Sequence, residues 1–182
     1  MSLLKKQYET VLVSREGGIT TITLNRPEFS NAMSPQFMTD LSEAAETVSK
    51  DAETRVVIVT GVRKAFCAGG DVAEDIAKLG QLTPFEYREQ ISLFWDPFRN
   101  TFLMQKPVIA AINGAAIGGG CDLAMACDIR IASDKARFGA GYITMGLVSE
   151  LGGNYSLPRL IGLGKAKLLA FAGDIIDKVS RV

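Results

Sequence analysis

Short apolar blocks separated by polar stretches predict strands that alternate with helices along the chain. Two β-rich runs, at residues 10–14 and 19–24, flank the turn-forming sequence REGG, which predicts a hairpin. Continuously apolar runs at residues 56–59 and 107–112 predict strands that are covered on both faces, because no polar face interrupts them. One more strand is predicted at residues 128–132.

Helical spacing follows the first hairpin. Ser34 directly precedes Pro35, and serine as the cap with proline at the first helical position favours a helix start. Apolar residues then recur with helical period at Phe37, Met38, Leu41, Ala44, Ala45 and Val48. Residues 83–102 and 164–173 predict two further helices. The whole pattern predicts an α/β fold of repeated β-β-α units in a single domain over residues 1–182.

Composition narrows the functional classes. Lysine and arginine number 20, and so do aspartate and glutamate, so net charge gives no argument for nucleic acid or an anionic membrane as a partner. No apolar run is long enough to cross a bilayer, and the first residues lack the pattern of a signal peptide. We therefore expect a protein that binds neither nucleic acid nor membrane.

Cysteine and histidine limit the chemistry further. Cys67, Cys121 and Cys127 have no CxxC spacing, which indicates reduced thiols in a cytoplasmic protein and no zinc site. The absence of histidine excludes histidine-based triads and HExxH metal sites. Acid–base chemistry must then come from carboxylates, tyrosine, lysine or bound water.

Two glycine-bearing loops each follow a predicted buried strand and enter a predicted helix. They read AFCAGGD at residues 65–71 and NGAAIGGGCD at residues 113–122. The first N–H groups of a helix have no internal partner, so two such ends that meet would bind a developing negative oxygen. Neither GK[ST] nor GxGxxG occurs, which disfavours nucleotide binding. The alternative is that Gly118, Gly119 and Gly120 only permit close packing.

Four blocks in order carry a family resemblance: NRPEFSNAMS, KAFCAGGD, NGAAIGGGCDLAMACDIRIAS and FGAGYITMGLVSELGGNYSLPRLIG. Together they resemble the enoyl-CoA hydratase/isomerase (crotonase) family. The resemblance implies a crotonase-like (ClpP/crotonase) fold, an acyl-CoA thioester as substrate, no cofactor, and assembly as a homotrimer or dimer of trimers. The C-terminal helices that help to close the family's acyl pocket have no counterpart before the sequence ends in AGDIIDKVSRV.

The same resemblance implies the ligand contacts. The family's oxyanion hole, two backbone N–H groups that bind the thioester carbonyl, falls on Ala68 and Gly119. Further expected substrate-binding residues are Arg26, Lys64, Gly69, Gly70 and Asp71. Asp71 is also suited to capping a helix, and Arg26 and Lys64 could equally be solvated surface charges. Aromatic residues expected in the family's variable pocket wall, or else in the core, are Phe85, Tyr87, Phe94 and Trp95.

The carboxylates distinguish the possible reactions. Hydratases of the family use two glutamates, but this sequence has Asp122 at the first position and Tyr142 at the second. Glu150 falls where several isomerases of the family carry their catalytic acid, which implies double-bond isomerisation with Glu150 as the acid/base. Hydration with a contribution from Asp122, or acyl-CoA binding without catalysis, are the alternatives. Either carboxylate could instead stabilise a helix N-terminus, and Tyr142 is expected to pack.

Overall fold

The computed structural model describes residues 6–72, 77–79 and 81–177, and in them strands and helices alternate. The strands are β1 (Val11–Glu16), β2 (Ile19–Leu24), β3 (Val56–Gly61), β4 (Ala65–Cys67), β5 (Val108–Ile112), β6 (Ala115–Ile117), β7 (Ile129–Ala132), β8 (Arg137–Gly139) and β9 (Ile175–Ile176). The helices are α1 (Pro35–Lys50), α2 (Ala77–Leu79), α3 (Pro84–Phe102), α4 (Gly119–Ala126), α5 (Gly153–Ile161) and α6 (Leu163–Ala172). Short 3-10 turns lie at Pro27–Phe29 and Tyr142–Met145.

The strands form two separate sheets, and successive strands along most of the chain alternate between them. The first has the order β1-β2-β3-β5-β7, with an antiparallel β1–β2 hairpin and parallel pairing elsewhere. The second has the order β4-β6-β8-β9, parallel except for β8–β9. Each of β3, β5 and β7 is followed by a short strand of the second sheet and then by helix, so the predicted α/β fold of β-β-α units is confirmed.

Burial explains why the longer elements were predictable. Val57, Val59 and Val108 are buried, as expected for strands covered on both faces. The Ser34 hydroxyl accepts from the N–H of Phe37 at the start of α1, which confirms the predicted cap. The three-residue strands β4, β6 and β8 were not predicted, because so short a run carries no readable period.

A polar cluster joins the loop after β2 to β4. Asn31 is fully buried in a left-handed conformation (φ 58°), and its side-chain amide donates to the carbonyl oxygens of Ala65 (2.9 Å) and Phe66 (3.2 Å). Its amide oxygen accepts from the N–H of Arg26 at 2.9 Å. These bonds satisfy carbonyl groups that water cannot reach and hold the first glycine loop in place.

Arg26 and Asp71 form a buried ion pair in the same cluster. The Arg26 guanidinium donates to Asp71 Oδ2 (3.1 Å) and to the carbonyl oxygen of Ala32 (2.6 Å). Both residues are less than one-tenth exposed. The resemblance placed them at the ligand, whereas this geometry directs their charges toward each other, so we interpret the pair as a structural link between the loops after β2 and β4.

We expect Asp71→Asn to lower the free energy of unfolding by about 3 kcal/mol, because it leaves the buried Arg26 charge without its carboxylate. Urea unfolding followed by circular dichroism measures the loss. The matched control is Asp96→Asn, which removes an exposed ion pair to Arg99 (3.6 Å) and should cost less than about 1 kcal/mol. Equal losses in the two variants would contradict the structural role of Asp71.

Candidate active site

Each of the three consecutive glycines is required for a different structural reason. Gly118 has φ 52° and ψ −121°, a conformation that side chains disfavour. A Cβ on Gly119 would lie 2.9 Å from Met33 Sδ, and one on Gly120 would lie 2.1 Å from the carbonyl oxygen of Cys67. The bare backbone therefore lets α4 begin directly against the end of β4.

The backbone N–H groups of Gly119 and Ala68 differ in whether they are free to bind a ligand. Gly119 is the first residue of α4, where an N–H has no acceptor within the helix. The N–H of Ala68, which the resemblance assigns to the oxyanion hole, donates to the carbonyl oxygen of Ser30 at 3.1 Å. Because that bond occupies it, Ala68 does not present a free donor to a ligand.

Gly70 offers the donor that Ala68 does not. Met33 donates to the carbonyl oxygen of Gly69 (2.8 Å) and accepts from the N–H of Asp71 (3.0 Å), so Gly70 is the central residue of a parallel bridge. In such a bridge the central N–H points away from the partner strand, and no acceptor among the described residues takes it. The candidate pair of donors is therefore Gly70 and Gly119, which corrects Ala68.

One cavity brings these donors together with Glu150. Its volume is about 310 Å³, and its wall includes Gly70, Gly119 and Glu150. Apolar side chains such as Met33 and Leu151 complete much of the wall. The second, third and fourth sequence blocks, which carry Gly70, Gly119 and Glu150, thus meet at one site, as an acyl-CoA pocket would require.

Glu150 is half-buried and has a partner that the sequence did not reveal. The hydroxyl of Tyr87, near the start of α3, donates to Glu150 Oε1. The two residues are 63 positions apart, so no local spacing links them. Thr83 and Glu86 form a capping box that fixes the first turn of α3 and hence the position of Tyr87.

Asp122 occupies a different environment from Glu150. Its Oδ2 accepts from Tyr142 Oη (2.6 Å) and Ser149 Oγ (2.8 Å), and the backbone N–H of Gly153 also donates to the carboxylate. Burial raises the pKa of Asp122 to about 6, although these donors oppose the shift. Burial and the adjacent Asp122 also raise the pKa of Tyr142, so Tyr142 stays a neutral donor. Asp122 does not line the 310 Å³ cavity.

Two further cavities adjoin Asp122. The larger, of about 550 Å³, lies between β8, α5 and α6 and contains neither Glu150 nor the glycine donors. The other, of about 390 Å³, is lined by both Asp122 and Glu150, together with residues of α3 and α5. Volume alone would select the first, but the chemistry of the donors and Glu150 selects the 310 Å³ cavity.

The remaining predicted site residues have simpler surroundings. Lys64 is exposed at the start of the first glycine loop and does not line the 310 Å³ cavity. Gly69 has φ 93°, and a Cβ on it would lie 3.4 Å from the nitrogen of Gly119, so it brings the two loops into contact. Burial raises the pKa of each of the three cysteine thiols to about 12.

The described residues also bear on metal binding and on membrane insertion. Across residues 6–72, 77–79 and 81–177, no group of three or more histidine, cysteine, aspartate or glutamate side chains is arranged to hold a metal ion. Over the same part of the chain, none of the helices combines the length and apolar character that a membrane span needs.

Two curated hydratases are similar to this chain in sequence. It is 39% identical to the crotonyl-CoA hydratase of Syntrophomonas wolfei over 171 residues, which is 93% of this chain and 64% of that protein. It is also 39% identical to the short-chain-enoyl-CoA hydratase of Clostridium acetobutylicum over 179 residues, 97% of this chain and 67% of that protein. The chain thus spans about two thirds of the length of these relatives.

A solved structure and a family profile agree with these relatives. The crystal structure of enoyl-CoA hydratase from Bacillus anthracis superposes with a TM-score of 0.86 at 37% identity, covering 93% of this chain and 65% of that one. The profile of the enoyl-CoA hydratase/isomerase family matches residues 14–178. The resemblance inferred from the four sequence blocks is confirmed, and the chain belongs to the enoyl-CoA hydratase/isomerase family.

Proposed function

We propose that the protein isomerises 3-enoyl-CoA thioesters to 2-enoyl-CoA thioesters. One observation carries the proposal: Glu150 lines the same cavity as the candidate donors Gly70 and Gly119. A carboxylate beside two N–H groups suits a proton transfer that places negative charge on a carbonyl oxygen.

The proposed reaction uses one base and no water. Glu150 removes a proton from C2, and the electron pair delocalises over C2, C3 and C4 and onto the thioester oxygen. The N–H groups of Gly70 and Gly119 stabilise that oxyanion more strongly than the ground-state carbonyl. Glu150 then returns the same proton to C4, which leaves the double bond between C2 and C3 and conserves all atoms.

Tyr87 supports this role of Glu150. Its hydroxyl donates to Oε1, which leaves Oε2 as the oxygen that can carry the proton between the two carbons. The hydrogen bond also fixes the orientation of the carboxylate in a cavity whose wall is largely apolar. We therefore assign Tyr87 as a positioning residue.

Hydration of 2-enoyl-CoA is the second candidate, and the names of the relatives favour it, since both curated relatives described above are called hydratases. Hydration would need a water molecule held between two acid–base groups. The contacts of Asp122 weigh against it, because Tyr142 and Ser149 both donate to the same carboxylate oxygen. Tyr142 also stands where the resemblance implies the second glutamate.

Assembly and location follow the family resemblance. A homotrimer or dimer of trimers in the cytoplasm is part of the proposal, with an acyl-CoA as the ligand and no additional cofactor. Exposed apolar side chains on α5 and α6 support an assembly, since a surface so apolar favours burial against another copy. They include Leu160, Leu163, Leu168 and Phe171.

Glu150→Gln should reduce isomerisation by about 1000-fold, because the amide cannot accept the C2 proton. Proton NMR of 3-hexenoyl-CoA in deuterated water follows both the alkene signals and deuterium incorporation at C2 and C4. The matched comparison is Asp122→Asn, which should retain most of the isomerisation.

The same spectra separate the alternatives. A 3-hydroxyacyl product that depends on Asp122 would replace isomerisation by hydration as the function. Binding of the thioester to the wild-type protein with neither conversion to the 2-enoyl thioester nor exchange at C2 would identify a binder without catalysis, and the proposal would then be wrong.

Gly119→Pro should lower kcat by roughly 100-fold or more, because it deletes one oxyanion donor. Proline is well tolerated at the first position of a helix, so α4 should still form. Gly119→Ala is the control: it adds a side chain beside Met33 but keeps the N–H. If kcat fell equally in both variants, loss of space rather than of the donor would explain the effect.

Tyr87→Phe should lower kcat by about tenfold with little change in KM, because it removes a hydrogen bond to the charged base but no contact to the coenzyme. Steady-state kinetics with 3-hexenoyl-CoA measure both constants. Tyr8→Phe, which removes a phenol whose partner is Thr47 (3.4 Å), is the control. A change confined to KM would contradict the positioning role.

A further inference from the structure

The 390 Å³ cavity has an unusually aromatic wall. Trp95, Phe98 and Phe102 lie on one face of α3 at spacings of three and four residues, and Tyr155 of α5 faces them. Phe98 is 4% exposed and Ala126 is 9% exposed, so they form the closed inner side. Trp95, Phe102 and Tyr155 are 53–55% exposed, which leaves ring surface available to a ligand.

This aromatic cavity meets the 310 Å³ cavity at Glu150 and Leu151, which line both. The position of a bound acyl chain follows from the proposed function, on which this inference rests. If the thioester oxygen lies at Gly70 and Gly119 while C2 and C4 both reach Glu150, the chain beyond C4 must continue past Glu150. The aromatic cavity is the space that lies there.

The arrangement of the Phe102 and Tyr155 rings is suited to binding an aromatic ring of a ligand. Phe102 and Tyr155 already meet edge to face, with centroids 6.4 Å apart and planes at 89°. Aromatic rings prefer edge-to-face or offset-stacked neighbours, so a planar ring between the two helices would gain contacts that an alkyl chain does not make.

The charges around the cavity are already paired. Arg99 faces Asp96 at 3.6 Å, and Arg159 stacks over the Tyr155 ring at 3.7 Å. At the inner end, the Asp122 carboxylate accepts from Tyr142 and Ser149, and the Glu150 carboxylate accepts from the Tyr87 hydroxyl. Because these groups have partners, the cavity favours an apolar occupant over a charged one.

We propose that the preferred ligand is a CoA thioester whose acyl chain carries an aromatic ring beyond C4, with that ring held between α3 and α5. A crotonyl group, which the name of one curated relative gives as its substrate, has four carbons and therefore no atom beyond C4. The aromatic cavity would therefore set the acyl specificity of this chain.

Trp95 makes the test direct, because it is the single tryptophan of the chain and lies on the cavity wall. Its fluorescence is titrated with saturated thioesters, which cannot isomerise: 6-phenylhexanoyl-CoA, dodecanoyl-CoA with the same number of acyl carbons, and hexanoyl-CoA. We expect 6-phenylhexanoyl-CoA to bind at least about tenfold more tightly than either of the others and to change the Trp95 emission strongly. Coenzyme A alone corrects for absorption by the adenine.

Variants test whether the preference for the phenyl thioester arises at the aromatic cavity. The affinity of each variant is measured by calorimetry. Trp95→Ala should remove most of the advantage of the phenyl thioester. Ser156→Phe, at a half-buried position of α5, should fill the cavity and abolish that advantage while hexanoyl-CoA still binds. Phe85→Ala is the matched control on α3, since Phe85 is 69% exposed and lines none of the three cavities described.

The outcomes separate this inference from the proposed function. Equal affinity for the three thioesters, equal affinity for the phenyl and dodecanoyl thioesters, or an unchanged Trp95 emission would overturn the aromatic specificity, whatever the isomerase assay shows. Failure to isomerise 3-hexenoyl-CoA would overturn the proposed reaction, while tight binding of 6-phenylhexanoyl-CoA would still support the aromatic site.

Discussion

The close approach of backbone to backbone at the end of the second sheet is the constraint on which the site depends. A Cβ on Gly114 would lie 1.9 Å from the carbonyl oxygen of Lys64, and one on Gly120 would lie 2.1 Å from that of Cys67. A larger residue at position 114 would push the starts of β4 and β6 apart, and one at position 120 would push the start of α4 away from the end of β4. Since β4 and β6 are parallel neighbours, their ends lie side by side, and the absence of side chains lets Gly70 and Gly119 border one cavity.

The two carboxylates show how environment separates residues of similar chemistry. Asp122 is buried under two hydroxyl donors and a backbone donor, and burial still raises its pKa to about 6. Glu150 is half-buried, accepts from one tyrosine, and borders the space where the glycine donors lie. A group whose oxygens are occupied by neighbours is suited to holding the loop around Ser149 in place. In the proposed reaction Glu150 moves the proton, because it borders the cavity that the glycine donors also line.

The sequence predicted those features that repeat over many residues or depend on local chemistry. The long helices and the buried parallel strands are marked by runs or periodic spacing of apolar residues, and Ser34 marks the start of α1. The strands β4, β6 and β8 are too short to carry such a signal. At the site, the motif placed the first donor on Ala68, and only the hydrogen bond to Ser30 shows that its N–H is occupied. The contact of Tyr87 with Glu150 depends on how α3 packs, which no local pattern encodes.

Glu150 and Leu151 line both the 310 Å³ and the 390 Å³ cavity, and in the proposed reaction this shared position links proton transfer to acyl specificity. A base that serves both C2 and C4 must lie beside the middle of the acyl chain, so the carbonyl and the tail necessarily point to opposite sides of it. The part of the site that would face the thioester carbonyl is built from backbone N–H groups, and side-chain substitutions change their positions little. The tail side is built from side chains of α3 and α5, which can vary without moving the donors. Acyl specificity can therefore change in this architecture while the geometry of proton transfer is kept.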